Sequence, residues 1–141
     1  MYVSIRLIHP DAKQPEKATE GSAAYDLYTP EKVLLPPGKV TAVPLGLAME
    51  TPEGYKGEIS SRSGITSQGV WVANQPGKID SDYRGEIKVL LYNSINETFM
   101  FSAGSRIAQI EINPIKEVVF VDFVQLGTTS RGEGGFGSTG V

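Results

Sequence analysis

An all-β domain is what this sequence predicts, and three observations carry the prediction. Short alternating or β-branched runs recur from one end to the other; 16 glycines and 9 prolines in 141 residues interrupt the chain too often for long helices; and turn-forming residues separate nearly all of the runs. Many short strands at this spacing describe a sandwich, a jelly roll or a barrel. The length suits one domain burying about two thirds of the surface that its unfolded chain exposes.

Taken in order, strands are expected at residues 2–8, 33–35, 40–45, 56–60, 70–72, 86–92, 98–101, 106–112 and 118–124. The first run alternates apolar and polar residues and has no basic region leading into an unbroken apolar stretch, so it does not read as a signal peptide. The breaks fall at Gly21, Pro36-Pro37-Gly38, Pro52-Glu53-Gly54, Pro76-Gly77 and Asn113-Pro114, because proline fixes φ and glycine tolerates positive φ. A short helical turn is expected only within 61–68, with serines accepting from the free N–H groups at its start. From about Gly127 the chain becomes Gly, Ser, Thr, Arg and Glu around one aromatic, Phe136, a composition that builds no core of its own.

Composition excludes several kinds of chemistry. Cysteine is absent, which removes disulfides, thiolate catalysis and cysteine-based metal sites. The single histidine, His9, precedes Pro10 in a loop and reads as solvated rather than as part of a Ser-His-Asp arrangement. The net charge is −3 with no dense run of Lys or Arg, so neither a nucleic-acid partner nor a membrane surface is expected. No segment reaches membrane-span length. The expectation is a soluble, intracellular protein, cytoplasmic, nuclear or viral within a host cell.

Several groups of residues carry chemistry. The tail segment Gly132-Glu133-Gly134-Gly135-Phe136-Gly137 satisfies G-x-G-x-x-G, but a dinucleotide fingerprint needs a strand before it and a helix after it. Arg131 followed by a glycine-rich run to Ser138 and Thr139 suits a phosphate wrap in which Phe136 stacks on a base, or else a flexible terminus. In Gly77-Lys78-Ile79-Asp80-Ser81-Asp82-Tyr83-Arg84-Gly85, an extended backbone would set Asp80 and Asp82 on one face, where paired carboxylates hold a water, a metal or a proton. The plainer reading is a solvated turn. Asp26 lies among apolar neighbours, and Arg62-Ser63-Gly64 and Arg106-Ile107-Ala108-Gln109 each set a guanidinium beside small or amide residues, suited to phosphate oxygens or to a surface salt bridge. Together, dispersed arginines, three aspartates and a glycine-rich lid point to metal-assisted attack of water on a phosphate ester.

The ordered set resembles the trimeric dUTPase family, whose members carry five short motifs in fixed order. Here they read Ala23-Ala24-Tyr25-Asp26-Leu27-Tyr28, Arg62-Ser63-Gly64, residues 77–85, residues 104–109 and residues 131–140. The resemblance covers residues 20–140. It implies a β jelly roll with a flexible C-terminal glycine-rich arm: a single domain over 1–141, with a β core at 1–126 and a lid at 127–141. It also implies a homotrimer in which each site draws on all three chains.

The activity implied is hydrolysis of dUTP to dUMP and pyrophosphate, which limits uracil in DNA and supplies dUMP for dTMP synthesis. Asp80 resembles the base that activates water against the α-phosphate, and Tyr83 the residue under the deoxyribose that leaves no room for a 2′-hydroxyl. Asn74, with the backbone at Gly77 and Ile79, resembles the uracil-reading hairpin. Arg62, Ser63, Gly64 and Gln109 resemble the triphosphate cradle; Arg131 would meet the γ-phosphate, Phe136 would cover the uracil, and Gly137, Ser138 and Thr139 would close on phosphates. Mg²⁺ is the implied cofactor, with Asp26 in its network through water.

Two positions depart from the family pattern. Ser105 stands where an aspartate is common, and Ser60-Ser61 where Ala-Pro is frequent. The alternatives are a dCTP deaminase, which would lack the complete lid, a silent jelly-roll binding module, which would lose Asp80 or Tyr83, and a nucleic-acid-binding barrel, disfavoured by the acidic balance.

Overall fold

The computed structural model describes residues 1–140. Among these it holds eleven strands and one helical turn: β1 (Ser4–Leu7), β2 (Tyr25–Tyr28), β3 (Val33–Leu35), β4 (Val40–Pro44), β5 (Leu47–Glu50), β6 (Tyr55–Ser60), α1 (Ser63–Thr66), β7 (Val70–Val72), β8 (Gly77–Ile79), β9 (Lys88–Asn93), β10 (Phe99–Phe101) and β11 (Arg106–Pro114). The expected all-β class holds. No helix among the described residues is long and apolar enough to cross a membrane.

Every pairing is antiparallel, in the orders β2-β11-β6-β8, β4-β9-β7, β1-β5 and β10-β3. Inward-facing side chains alternate along the strands, so Leu27, Leu35, Val43, Ile59, Val70, Val72, Val89, Leu91, Ile107 and Ile110 meet in one core. The opposite face of the four-stranded sheet is polar, with Asp26, Ser60, Glu58, Lys78 and Gln109 projecting from neighbouring strands.

Three strands, β2, β5 and β8, lie outside the runs expected from the sequence. β8 is only three residues long and contains a glycine, too short to show alternation. The expected strand at 118–124 does not form: β11 ends at Pro114, and Val119, Phe120, Phe123 and Val124 are exposed. A strand needs a ladder partner for its N–H and C=O groups, and this stretch has none among the described residues of its own chain.

The helical turn appears inside the expected stretch but is not capped by serine. Arg62 occupies the N-cap with no side-chain capping bond; the side-chain bonds of the turn go to its carbonyls, from Thr66 Oγ1 to Arg62 at 3.0 Å and from Gln68 Nε2 to Gly64 at 2.8 Å. His9 is not merely solvated: its Nδ1 accepts from the Asp11 N–H at 3.1 Å and its Nε2 lies 3.2 Å from Glu31, joining two loops.

Candidate active site

Asp26, in the middle of β2, is buried, and both of its carboxylate oxygens are engaged. Oδ1 accepts from Arg62 Nε at 2.8 Å and Oδ2 from Arg106 Nη1 at 3.2 Å. One carboxylate therefore holds two guanidiniums beside each other, offsetting a repulsion that would otherwise push them apart. The salt-bridge reading of the arginines and their reading as an anion cradle are thus compatible: the bridge aims them.

A β-bulge makes this arrangement. Arg106 and Gln109 are three residues apart on β11, and strict alternation would put them on opposite faces. The β2–β11 register shifts between Arg106 and Ala108, leaving Ile107 and Ala108 both buried, so Arg106 and Gln109 emerge on the same side. Gln109 pairs in register with Asp26 on β2 and with Ser60 on β6. Its Nε2 donates to the Ser61 carbonyl at 3.1 Å. Asp26, Arg62, Ser63, Gly64, Gln109 and Glu111 line one open cavity. Beside it, burial first and then the Glu16 and Asp26 charges push the Tyr28 phenol above its ordinary value, so it stays a neutral hydroxyl.

Asp80 and Tyr83 belong to a different cavity, lined with Lys78, Ile79, Glu86 and Lys88. The backbone here takes the turn of the plainer reading and not the extended course that would set Asp80 and Asp82 on one face. The Tyr83 N–H donates to the Asp80 carbonyl at 3.2 Å, closing a turn, and Arg84 Nη1 donates to the Ser81 carbonyl at 2.6 Å. Asp80 and Asp82 therefore do not alternate along a strand. Tyr83 Oη donates to the Glu86 carbonyl at 3.0 Å, and the ring lies across Gly85, where an added Cβ would come within 2.6 Å of the ring carbon Cζ. Only glycine leaves that space.

Asn74 lies in the connection from β7 to β8, which pair with β9 and β6 and not with each other, and an added Cβ at Gly77, the first residue of β8, would sit 3.4 Å from the Asn74 amide. In the tail, Arg131 Nε donates to the Gly134 carbonyl at 2.8 Å, and the Gly132 N–H donates to the Thr129 carbonyl at 3.2 Å. Phe136 is fully exposed at φ 49°. One chain thus brings together Asp26, Arg62, Ser63, Gly64 and Gln109, but it does not bring Asp80, Tyr83 or the tail residues Arg131, Phe136, Gly137, Ser138 and Thr139 into that cavity. The last residue of the expected lid, Val141, lies outside the described residues.

The expectation that Asp26 serves a metal is altered by its two arginines. Among the described residues no group of three or more His, Cys, Asp or Glu side chains could hold a metal ion. Asp26 and Glu111 are the carboxylates on the cavity wall, a donor set that suits only an ion keeping most of its own waters. Ser61 and Gln75 join the cradle to the connection bearing Asn74; the sequence marked Ser61 only as a departure from the family pattern and as the start of a helical turn, and gave no signal for Gln75.

The comparisons agree with this architecture. The family model described as dUTPase matches residues 11–140. A deoxyuridine 5′-triphosphate nucleotidohydrolase of Helicobacter pylori strain J99 is 43% identical over 142 residues, covering 100% of this chain and 98% of the relative. One of Anaplasma marginale is 48% identical over 129 residues, covering 89% and 88%. Among solved structures, Staphylococcus bacteriophage 80alpha dUTPase with dUPNHPP superposes with a TM-score of 0.89 at 27% identity over 99% of each chain. A mutant dUTPase from phage phi11 of S. aureus, described for its coordination of a structural Mg(II) ion, gives a TM-score of 0.81 at 25% identity, covering 89% of this chain and 98% of the phage protein.

Proposed function

This chain belongs to the dUTPase family and is an enzyme of dUTP hydrolysis, and on that premise we propose that it releases dUMP and pyrophosphate using a water activated by Asp80. The observation that carries the site assignment is the Asp26 carboxylate between Arg62 and Arg106 at the mouth of a cavity shared with Ser63, Gly64 and Gln109. Two aimed guanidiniums, a helical-turn backbone and an amide donor suit the oxygens of a triphosphate.

Asp80 takes a proton from water as the water oxygen bonds to the α-phosphorus; the bond from that phosphorus to the bridging oxygen breaks, and pyrophosphate leaves with the electron pair. Arg62, Ser63, Gly64 and Gln109 hold the departing phosphates. Tyr83 lies under the deoxyribose, where its ring excludes a 2′-hydroxyl. Asn74, with the backbone at Gly77 and Ile79, reads uracil, and cytosine leaves donors and acceptors there unmatched. Arg131 meets the γ-phosphate, Phe136 covers the base, and Gly137, Ser138 and Thr139 close on phosphates. Mg²⁺, when bound, offsets triphosphate charge and orders its oxygens; Asp26 and Glu111 are the residues that would hold its waters.

The site is completed in a homotrimer. Asp80 and Asp26 line different cavities of one chain, and residues 118–126 expose Val119, Phe120, Phe123, Val124 and Leu126. An apolar stretch of that size on a lone chain calls for a partner surface, and closed symmetry with a second and third copy supplies it. The chain is then a single domain whose β core runs to Pro114, with residues 118–126 set against a neighbouring copy and 127–141 as the lid.

The deciding experiment incubates the protein with Mg²⁺ and dUTP, dCTP, dTTP or UTP, and follows pyrophosphate. Release is expected from dUTP far ahead of the others, and comparable turnover of dCTP overturns the base assignment.

A further inference from the structure

The connection read as the base-recognition hairpin spans two sheets. It leaves β7, the edge of the β4-β9-β7 sheet, and enters β8, the edge of the β2-β11-β6-β8 sheet. A short connection of this kind has few backbone partners, and its position depends on what fastens it to each side. Asn74, at its exposed tip, is flanked by two attachments. On one side the Ala73 N–H donates to the Leu90 carbonyl of β9 at 2.8 Å. On the other, the Gln75 side-chain Oε1 accepts from the backbone N–H of Ser61 at 3.0 Å.

Ser61 has all of its polar groups engaged. Besides the N–H on Gln75, its Oγ accepts from the Val72 N–H, at the last residue of β7, at 2.8 Å. Its carbonyl accepts from Gln109 Nε2 at 3.1 Å. Gln109 lines the phosphate cavity, and Ser61 immediately precedes Arg62, which is bound to Asp26. One residue thus links the phosphate cradle to both the stem and the tip of the hairpin. Neither Ser61 nor Gln75 lines the cradle cavity or the Asp80 cavity.

We propose that Ser61 and Gln75 are positioning residues that hold the hairpin bearing Asn74, so that discrimination between uracil and cytosine depends on a contact outside the substrate pocket. The inference rests on the reading of Asn74, Gly77 and Ile79 as the base-recognition hairpin. Base discrimination by hydrogen bonds requires donors and acceptors held within tenths of an ångström. A hairpin released at Gln75 can shift to meet the wrong base, and the cost falls on the ratio between bases rather than on the chemical step at Asp80. Where each site draws on several chains, the same tie connects the cradle of one site to the hairpin of its neighbour.

The test compares wild type with Ser61→Ala, Ser61→Thr and Gln75→Ala, the last an exposed side chain whose removal leaves the core intact. For each, kcat/KM is measured with dUTP and with dCTP, and amide hydrogen exchange is followed across residues 72–77 in the ligand-free protein. Expected is a dUTP-to-dCTP ratio about three- to tenfold lower in Ser61→Ala and Gln75→Ala, the loss of roughly one hydrogen bond. Saturating kcat for dUTP should stay within about twofold, exchange at 72–77 should be faster, and Ser61→Thr should retain the wild-type ratio. An unchanged ratio overturns the proposal, as does an equal fall for both nucleotides that merely tracks lost stability. Failure of wild type itself to prefer dUTP would instead refute the hairpin reading beneath it.

Discussion

Arg62 is held to Asp26 by a hydrogen bond of 2.8 Å from Nε to Oδ1, while its Nη1 donates to the Arg106 carbonyl at 3.3 Å. The buried carboxylate therefore acts on the guanidinium rather than on a metal alone. Asp26→Asn keeps the shape and removes the charge that balances two cations. The loss of a charge-assisted bond pair is expected to cost about 1.5–3 kcal/mol, at the lower end because the arginines reach solvent. The checks are chemical denaturation and steady-state kinetics, with KM for dUTP raised along with the lost stability. A variant with wild-type KM would remove Asp26 from the cradle.

Part of this arrangement is legible in the sequence, and the reason differs by residue. Strands such as Val33–Leu35 and Val70–Val72 were visible because β-branched and apolar residues stand between turn signals. The convergence of Arg106 and Gln109 was not, since it depends on a bulge that changes the phase of β11 and leaves no mark in a period-two pattern. The turn at Asp80 was the plainer reading of its Gly-to-Gly segment, and Arg84 fastens it by donating to the Ser81 and Tyr83 carbonyls. The stretch at 118–124 shows strand chemistry without a strand, because pairing is a property of what lies alongside and not of the segment itself.

Tyr83 is fastened at its hydroxyl to the Glu86 carbonyl and lies across Gly85, so the ring is fixed as a plane rather than left as a free side chain. Tyr83→Ala is expected to relax discrimination between dUTP and UTP by roughly 10–100-fold, the scale of a steric exclusion in a binding pocket. Gly85→Ala should produce part of the same effect, because its Cβ displaces the ring. Relative kcat/KM for the two nucleotides is the readout, and selectivity preserved in both variants would move the sugar gate elsewhere.

Asp80→Asn is nearly isosteric but too weakly basic to accept a proton from water. Turnover should fall by roughly 10²–10⁴-fold, with KM for dUTP little changed. Chelating Mg²⁺ in the wild-type protein should likewise remove most activity, and restoring the ion should recover it. If Asp80→Asn kept its turnover, the base would have to be sought at Asp82 or Asp26.

The separation of Asp80 from the Asp26 cradle, and of both from an arm bonded within itself at Arg131 and Gly134, leads to a complementation experiment. A trimer of Asp80→Asn chains lacks the base at every site, and one truncated before Arg131 lacks every lid, so each alone should be nearly inactive. Suppose base and lid reach a given site from different chains. Going round a closed ring that holds both kinds of chain, one base-intact subunit always meets one lid-intact neighbour, and only once. Random exchange of equal amounts makes about three quarters of the trimers mixed with one site in three working, or about a quarter of wild-type activity. The two variants are unfolded together, refolded and compared with separately refolded controls, with subunit exchange verified by mass. Recovery near that fraction assigns base and lid to different chains. No recovery after verified exchange places them on the same chain or rules out the threefold ring.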